Sequence, residues 1–189
     1  MNDRNEAINW AKSILDSPND YYILDTETTG LSGPEIIELG IIDLDGNEII
    51  NQRFCPKTKV TEGATNIHGM TNISLQDEPL FDSVIDCLNE LIFDRKLLVY
   101  NLPFDREALF FTFGDRGYDV PPIAGECVMQ WYSQFCGEWN TYRSSYRWQK
   151  LPGGDHSAIG DCKATLQVIK GMAASPLAMG LMPMESPAA

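Results

Sequence analysis

Positive charge is scarce in this chain. Lysine and arginine number 14 against 27 acids, giving a net charge of −13. A protein that coats long nucleic acid carries a basic stripe, because phosphate neutralisation drives affinity. That role is excluded over the surface as a whole, so any nucleic-acid footprint is short or shared with a partner. Paired cysteines are also missing. The five present (Cys55, Cys87, Cys127, Cys136, Cys162) are odd in number and contain no Cys-x-x-Cys, which argues against a disulfide framework or a zinc ribbon. No apolar run approaches the roughly 20 residues that span a bilayer, and no charged-then-apolar signal opens the sequence. Membrane association and secretion are therefore not expected, and a cytoplasmic location is. Histidine occurs only twice, at His68 and His156, and no internal repeat is visible.

What is present fits one globular domain: 189 residues, 43% apolar and 22% charged. Residues 3–16 read as an amphipathic helix, with Ala7, Ile8, Ala11, Ile14 and Leu15 on one face. Tyr21 to Leu24 is a compact apolar strand. Ile36 to Leu44 and Glu48 to Phe54 form a second and third, joined by the hairpin signal Asp45-Gly46. Residues 55–80 are punctuated by Pro56, Gly63, Gly69 and Pro79 and read as irregular. A helix follows on the stripe Phe81, Val84, Ile85, Leu88, Leu91, Ile92, then a strand Lys96 to Tyr100. Pro103 suits the first turn of a helix running to about Phe113. Cys127 to Phe135 is ambiguous, and a last helix runs from near Ser157 to about Ala173. An antiparallel meander followed by alternating helix and strand implies an α/β fold, a mixed sheet with helices packed on it. The expected division is an N-terminal helix (1–19), a main domain (20–174) and a flexible tail (175–189).

Five residues on three of these segments carry chemistry. Asp25 and Glu27, in Leu24-Asp25-Thr26-Glu27-Thr28-Thr29-Gly30, lie two apart on a strand and so aim to one side. Two carboxylates held together repel unless a cation or a proton lies between them, although an isolated Asp-x-Glu also describes two solvated charges at a strand exit. Asp105, in Asn101-Leu102-Pro103-Phe104-Asp105, opens a helix, where an acid favours the macrodipole; it also shares a face with Leu109 and Thr112 and so leans toward the sheet. Asp161 lies on an inward stripe with Ala164, Thr165, Val168 and Met172. His156 is five residues earlier, about 140° away on an ideal helix. The two converge only if His156 lies off the helix, a freedom that Pro152-Gly153-Gly154 supplies. A neutral imidazole is a suitable general base near neutral pH, though a histidine at this position also serves as a helix cap.

The three segments resemble, in order and spacing, the three motifs of the DEDD-type 3′–5′ exonucleases. Asp25-Thr26-Glu27-Thr28-Thr29-Gly30 corresponds to the first motif and Asn101-x-x-Phe104-Asp105 to the second. His156 with Asp161 corresponds to the third in its histidine form, the subgroup that includes the proofreading subunits of bacterial DNA polymerase III. The tyrosine form would place Tyr where Ser157 stands. The resemblance spans roughly residues 20–173. It implies a ribonuclease H-like five-stranded sheet, two bound Mg²⁺ or Mn²⁺ ions, and stepwise removal of nucleotides from single-stranded 3′ ends of DNA or RNA. It makes Asp25, Glu27, Asp105 and Asp161 the metal-holding residues and His156 the base. It makes Thr28, Thr29, Leu31, Asn101 and Phe104 the lining of the 3′-nucleotide pocket, with His68 a further substrate-side residue. The chain departs from many relatives in having Tyr100 where they have His, and Ser157 where they often have Arg or Lys.

The acidity has one local exception. Between Glu138 and Asp155 no acid occurs, while Arg143, Arg147 and Lys150 alternate with Tyr142, Tyr146 and Trp148. Cations interleaved with aromatics suit single-stranded nucleic acid and equally describe an exposed loop, so Arg143 and Arg147 stand as candidate substrate contacts. Two other readings remain compatible with the sequence: a non-catalytic nucleic-acid-binding or polymerase-binding module, and a nuclease specific for short oligoribonucleotides. A polymerase is an expected partner on the resemblance.

Overall fold

The computed structural model describes residues 3–177. Of the tail expected over 175–189, residues 178–189 lie outside the described part. Five strands form one sheet in the order β3-β2-β1-β4-β5: β1 (Tyr21–Thr28), β2 (Ile36–Ile42), β3 (Glu48–Arg53), β4 (Lys96–Val99) and β5 (Gly125–Cys127). β1, β2 and β3 are an antiparallel meander, while β4 and β5 run parallel to β1. This is the mixed sheet expected from the alternation of elements. Every residue of β2 is buried, and Ile23, Leu24, Leu97 and Leu98 complete the apolar centre.

Helices flank the sheet: α1 (Asp3–Leu15), α2 (Glu62–His68), α3 (Asn72–Leu75), α4 (Ile85–Asp94), α5 (Leu102–Asp115), α6 (Val128–Cys136) and α7 (Ala158–Ala173). α1 buries Ala7, Ile8, Ala11 and Ile14. It contacts α6 and α7, and its Trp10 stacks on Trp131 with ring centroids 5.1 Å apart.

Segment 55–80 differs from its irregular reading. It holds α2 and α3, each capped by a threonine: the Thr61 hydroxyl accepts from Ala64 N and that of Thr71 from Ser74 N. Ile37, Val60, Ala64, Met70 and Leu75 give it a small core of its own. The ambiguous stretch near Cys127 resolves into β5 followed by α6. Residues 139–146 add a two-stranded hairpin, β6 (Trp139–Asn140) with β7 (Ser145–Tyr146).

Two features of the sheet create the site. β1 pairs with β4 only as far as Leu24↔Val99, so its last four residues project past their parallel neighbour. On the other side of β1, Gly40 of β2 faces the start of α7. A Cβ at Gly40 would lie 2.6 Å from the Ala158 carbonyl carbon, so only glycine lets that helix come so close. Cys162 exploits the approach, its thiol directed at the Gly40 carbonyl at 3.3 Å.

Candidate active site

β1 extends four residues beyond the apolar run read from the sequence, so Asp25 and Glu27 lie inside a strand and share one side of it. Where β4 stops, the second motif takes its place. Thr26 N, left without a strand partner on that edge, donates to Asp105 Oδ1 at 3.0 Å, and the Thr26 hydroxyl donates to the same oxygen at 2.8 Å. Asp105 is thus a buried carboxyl fixed from the first turn of α5 onto the back of the first motif.

The third motif is built on a left-handed residue. His156 has φ of 62°, off the helix, as the convergence argument requires. Asp161 Oδ1 accepts from Asp155 N at 2.9 Å and from His156 N at 3.3 Å, folding the loop back over the first turn of α7. Ser157 caps that helix by accepting from Gly160 N, and Asp155 accepts from Ser157 N and Oγ. One potential ligand atom from each of Glu27, His156 and Asp161 lies within 4.8 Å of the others. Asp25 joins the same cleft, a space of about 290 Å³ also lined by Asn101, Phe104 and Asp105.

Burial, followed by repulsion from Asp161 and other nearby carboxylates, raises Glu27 to about 8. Burial raises Asp105 to about 7 against the opposing bonds from Thr26. Asp25 is pushed well above the ordinary carboxylate range by burial, then by the charges of Asp105, Asp161 and Glu27. Asp161 is raised as well, burial again outweighing the backbone bonds it accepts. Four carboxyls held so close repel one another unless a cation or protons lie between them, and carboxylate oxygens are the donors that suit a hard divalent cation.

A second cleft of about 830 Å³ shares Glu27, Asn101, Phe104 and His156 with the first. Its remaining wall is mostly apolar, from Leu31, Ala64 and Ile67, with Thr28 and His68 beside them. Leu31 is 85% exposed and Ile67 58%, and together they give the mouth of this cleft an apolar rim. The size and lining suit a nucleoside-sized group.

Not every expected contact faces these clefts. Thr29 is turned inward, its hydroxyl accepting from Glu35 N at 3.2 Å, and it lines neither space. His68 Nδ1 accepts from Met70 N, which leaves the ring proton on Nε2, directed at the Thr28 carbonyl at 3.2 Å. Both ring nitrogens are thereby engaged, and His68 enters the apolar cleft as a brace for β1. Arg143 and Arg147 line a separate depression on the β6–β7 hairpin.

Sequence reasoning passed over Glu38. It pairs with Glu27 across β1 and β2, is buried, and bridges two elements: Oε2 accepts from Ala158 N at 2.8 Å and Oε1 from Arg53 Nε at 2.7 Å. It is the lone acid of β2, and nothing in its spacing sets it apart in the sequence. Tyr100, noted only as a departure, donates its hydroxyl to the Gln149 carbonyl at 2.8 Å and so ties the chain leading to His156 onto the end of β4.

The chain matches a family model for exonucleases (RNase T) over residues 22–169. It is 28% identical over 173 residues to an uncharacterised exonuclease, CP81, of Escherichia phage 186, covering 82% of this chain and 89% of that protein. It is 39% identical over 90 residues to the DNA polymerase III subunit epsilon of Rickettsia felis, covering 44% of this chain. The chain spans only 39% of the length of that epsilon subunit. Among solved structures, exonuclease X in complex with 5′ overhanging duplex DNA aligns with a TM-score of 0.57 at 24% identity, covering 82% of this chain and 94% of that one. The nuclease domain of 3′hExo, a DEDDh family member bound to rAMP, aligns with a TM-score of 0.56 at 16% identity, covering 82% and 92%. Both share the fold described above.

Proposed function

The chain belongs to the exonuclease family, and on that premise we propose that it is a metal-dependent 3′–5′ exonuclease that releases nucleoside monophosphates from single-stranded ends. One observation carries the reading. Residues from three distant segments meet in one cleft, with Glu27, His156 and Asp161 offering ligand atoms within 4.8 Å of one another, and an apolar cleft opens against them.

Asp25, Glu27 and Asp161 would hold divalent cations, Mg²⁺ or Mn²⁺, with Asp105 held behind them by Thr26. Bound there, two cations would supply Lewis-acid activation and charge neutralisation at the phosphodiester. The protein's own residues do the rest. Phe104 and Leu31 cover the terminal base, while Thr28 and Asn101 meet its sugar and phosphate. His156 is exposed and carried on a loop, so its imidazole reaches an attacking water and takes its proton. The Asp161 bonds to Asp155 N and His156 N hold that loop in place.

A 5′-labelled oligonucleotide incubated with Mg²⁺ or Mn²⁺ is therefore expected to shorten, and Asp25→Ala to stop it. His156→Ala should lower kcat by about 10²–10⁴, the range for loss of a general base. Shortening in excess EDTA, or full activity in Asp25→Ala, would refute the proposal.

A further inference from the structure

The catalytic and apolar clefts account for one nucleotide, which leaves the basic hairpin unexplained. Three aromatic side chains on the hairpin or just after it face solvent: Tyr142 is 95% exposed, Trp148 70% and Trp139 52%. What sets these three apart is that they lie close together in sequence and are interleaved with cations. Among the described residues Arg143, Arg147 and Lys150 make no ion pair, although the chain has nearly twice as many acids as bases. The hairpin is also held in place. Arg147 N donates to the Glu138 carbonyl at 2.8 Å, Trp139 packs edge-on against Tyr146 at 5.1 Å, and the Tyr146 hydroxyl donates to Asp3 of α1. A depression of about 250 Å³ lies on it, lined by Arg143, Arg147 and Trp148 among others.

This surface runs directly into the site. Trp148 is followed by Gln149 and Lys150, both of which line the catalytic cleft, and Tyr100 pins Gln149 at that junction. At roughly 3.3 Å per extended residue, Trp148 lies within about 7 Å along the chain of Lys150.

We infer that the β6–β7 hairpin is a track for single-stranded nucleic acid, binding the nucleotides on the 5′ side of the end held in the active site. Bases stack on Trp148 and Tyr142 while Arg143 and Arg147 pair with phosphates, the combination that grips single strands without reading their sequence. The consequence is a length preference. A strand of several nucleotides engages cleft and track together, whereas a dinucleotide reaches only the cleft. The inference rests on the reading of the cleft as a 3′-end site and extends it to the class of substrate favoured.

Binding measured in EDTA separates the track from the chemistry. Fluorescence anisotropy with oligothymidylates of two and twelve nucleotides should show the longer bound at least tenfold more tightly. Trp148→Ala should weaken the twelve-nucleotide strand about tenfold, the order that one stacked base contributes. Arg143→Gln with Arg147→Gln should flatten the plot of log Kd against log salt by about 0.7 per arginine. These exposed positions permit both variants to be checked for an unchanged thermal transition. Equal affinity for the two lengths, or unaltered binding and salt slope in the variants, overturns the track and leaves the surface to an acidic protein partner. Failure of the wild-type protein to shorten any strand with Mg²⁺ would overturn the active-site reading instead, while these equilibria would still judge the track.

Discussion

Glu38 shows at the level of one residue how the acid cluster is held together. Its carboxylate is tied to Ala158 N, the first amide of α7, and so connects the first and third motifs through β2. Glu38→Ala leaves that buried amide unsatisfied and should cost about 1–3 kcal/mol in chemical denaturation. Glu38→Gln keeps an acceptor for Ala158 N and sacrifices the half-exposed Arg53 pair, so it should retain most of the stability. Equal losses in the two variants would show that charge, and not the bond to α7, is what matters. Asp25, Glu27, Asp105, His156 and Asp161 could be picked out in the sequence because strand phase, helix phase and the glycines before His156 each constrain a direction. Glu38 could not. A lone glutamate in a strand of isoleucines carries no spacing signal, and its role depends on a helix that begins 120 residues later. The inward turn of Thr29 was hidden for a similar reason: it depends on Glu35, across a turn that local pattern does not specify.

At the level of elements, the critical contact is that of α7 with β2. Gly40 admits the Ala158 backbone at a distance no side chain allows. Gly40→Ala should displace the first turn of α7, lower stability by about 1–3 kcal/mol as over-packing does, and reduce activity because Asp161 lies on that turn and holds the loop that carries His156. Gly171→Ala, on the same helix with open space around it, should leave activity intact and stabilise by up to about 1 kcal/mol. A Gly40→Ala protein as stable and active as the wild type would remove this contact from the account. The long helices and the meander were legible because burial repeats along them at a fixed period. α2 and α3 were not. Each spans two turns or fewer, and what stabilises them is a threonine cap and a five-residue core with contributions as distant as Ile37. The extension of β1 past Leu24 was equally hidden, since its edge is satisfied by Asp105 and not by a strand.

Across the whole molecule, clustered acid sets the response to pH and to metal. Folding raises Glu27 from 4.5 to about 8 and Asp105 from 3.8 to about 7, so the metal-free folded chain binds more protons than the unfolded one between those limits. Stability is then fully present below the unfolded values and declines as pH rises through the folded ones. In EDTA, Tm should fall between about pH 5 and about pH 8.5, and Mg²⁺ should raise Tm more at the higher pH, where cation replaces proton. A metal-free Tm that climbs across this interval would contradict the assignment of the cluster. On the proposed reading, a charge of −13 leaves few surfaces besides the clefts and the hairpin to grip nucleic acid, so trimming should be distributive and sensitive to salt. The most direct test of the central claim is the polarity of cutting on one single strand labelled at either end. With Mg²⁺, the 5′-labelled strand should give a ladder descending one nucleotide at a time, and the 3′-labelled strand should give labelled mononucleotide from the earliest times. Internal fragments appearing first, or early release of the 5′ label as mononucleotide, would contradict the account.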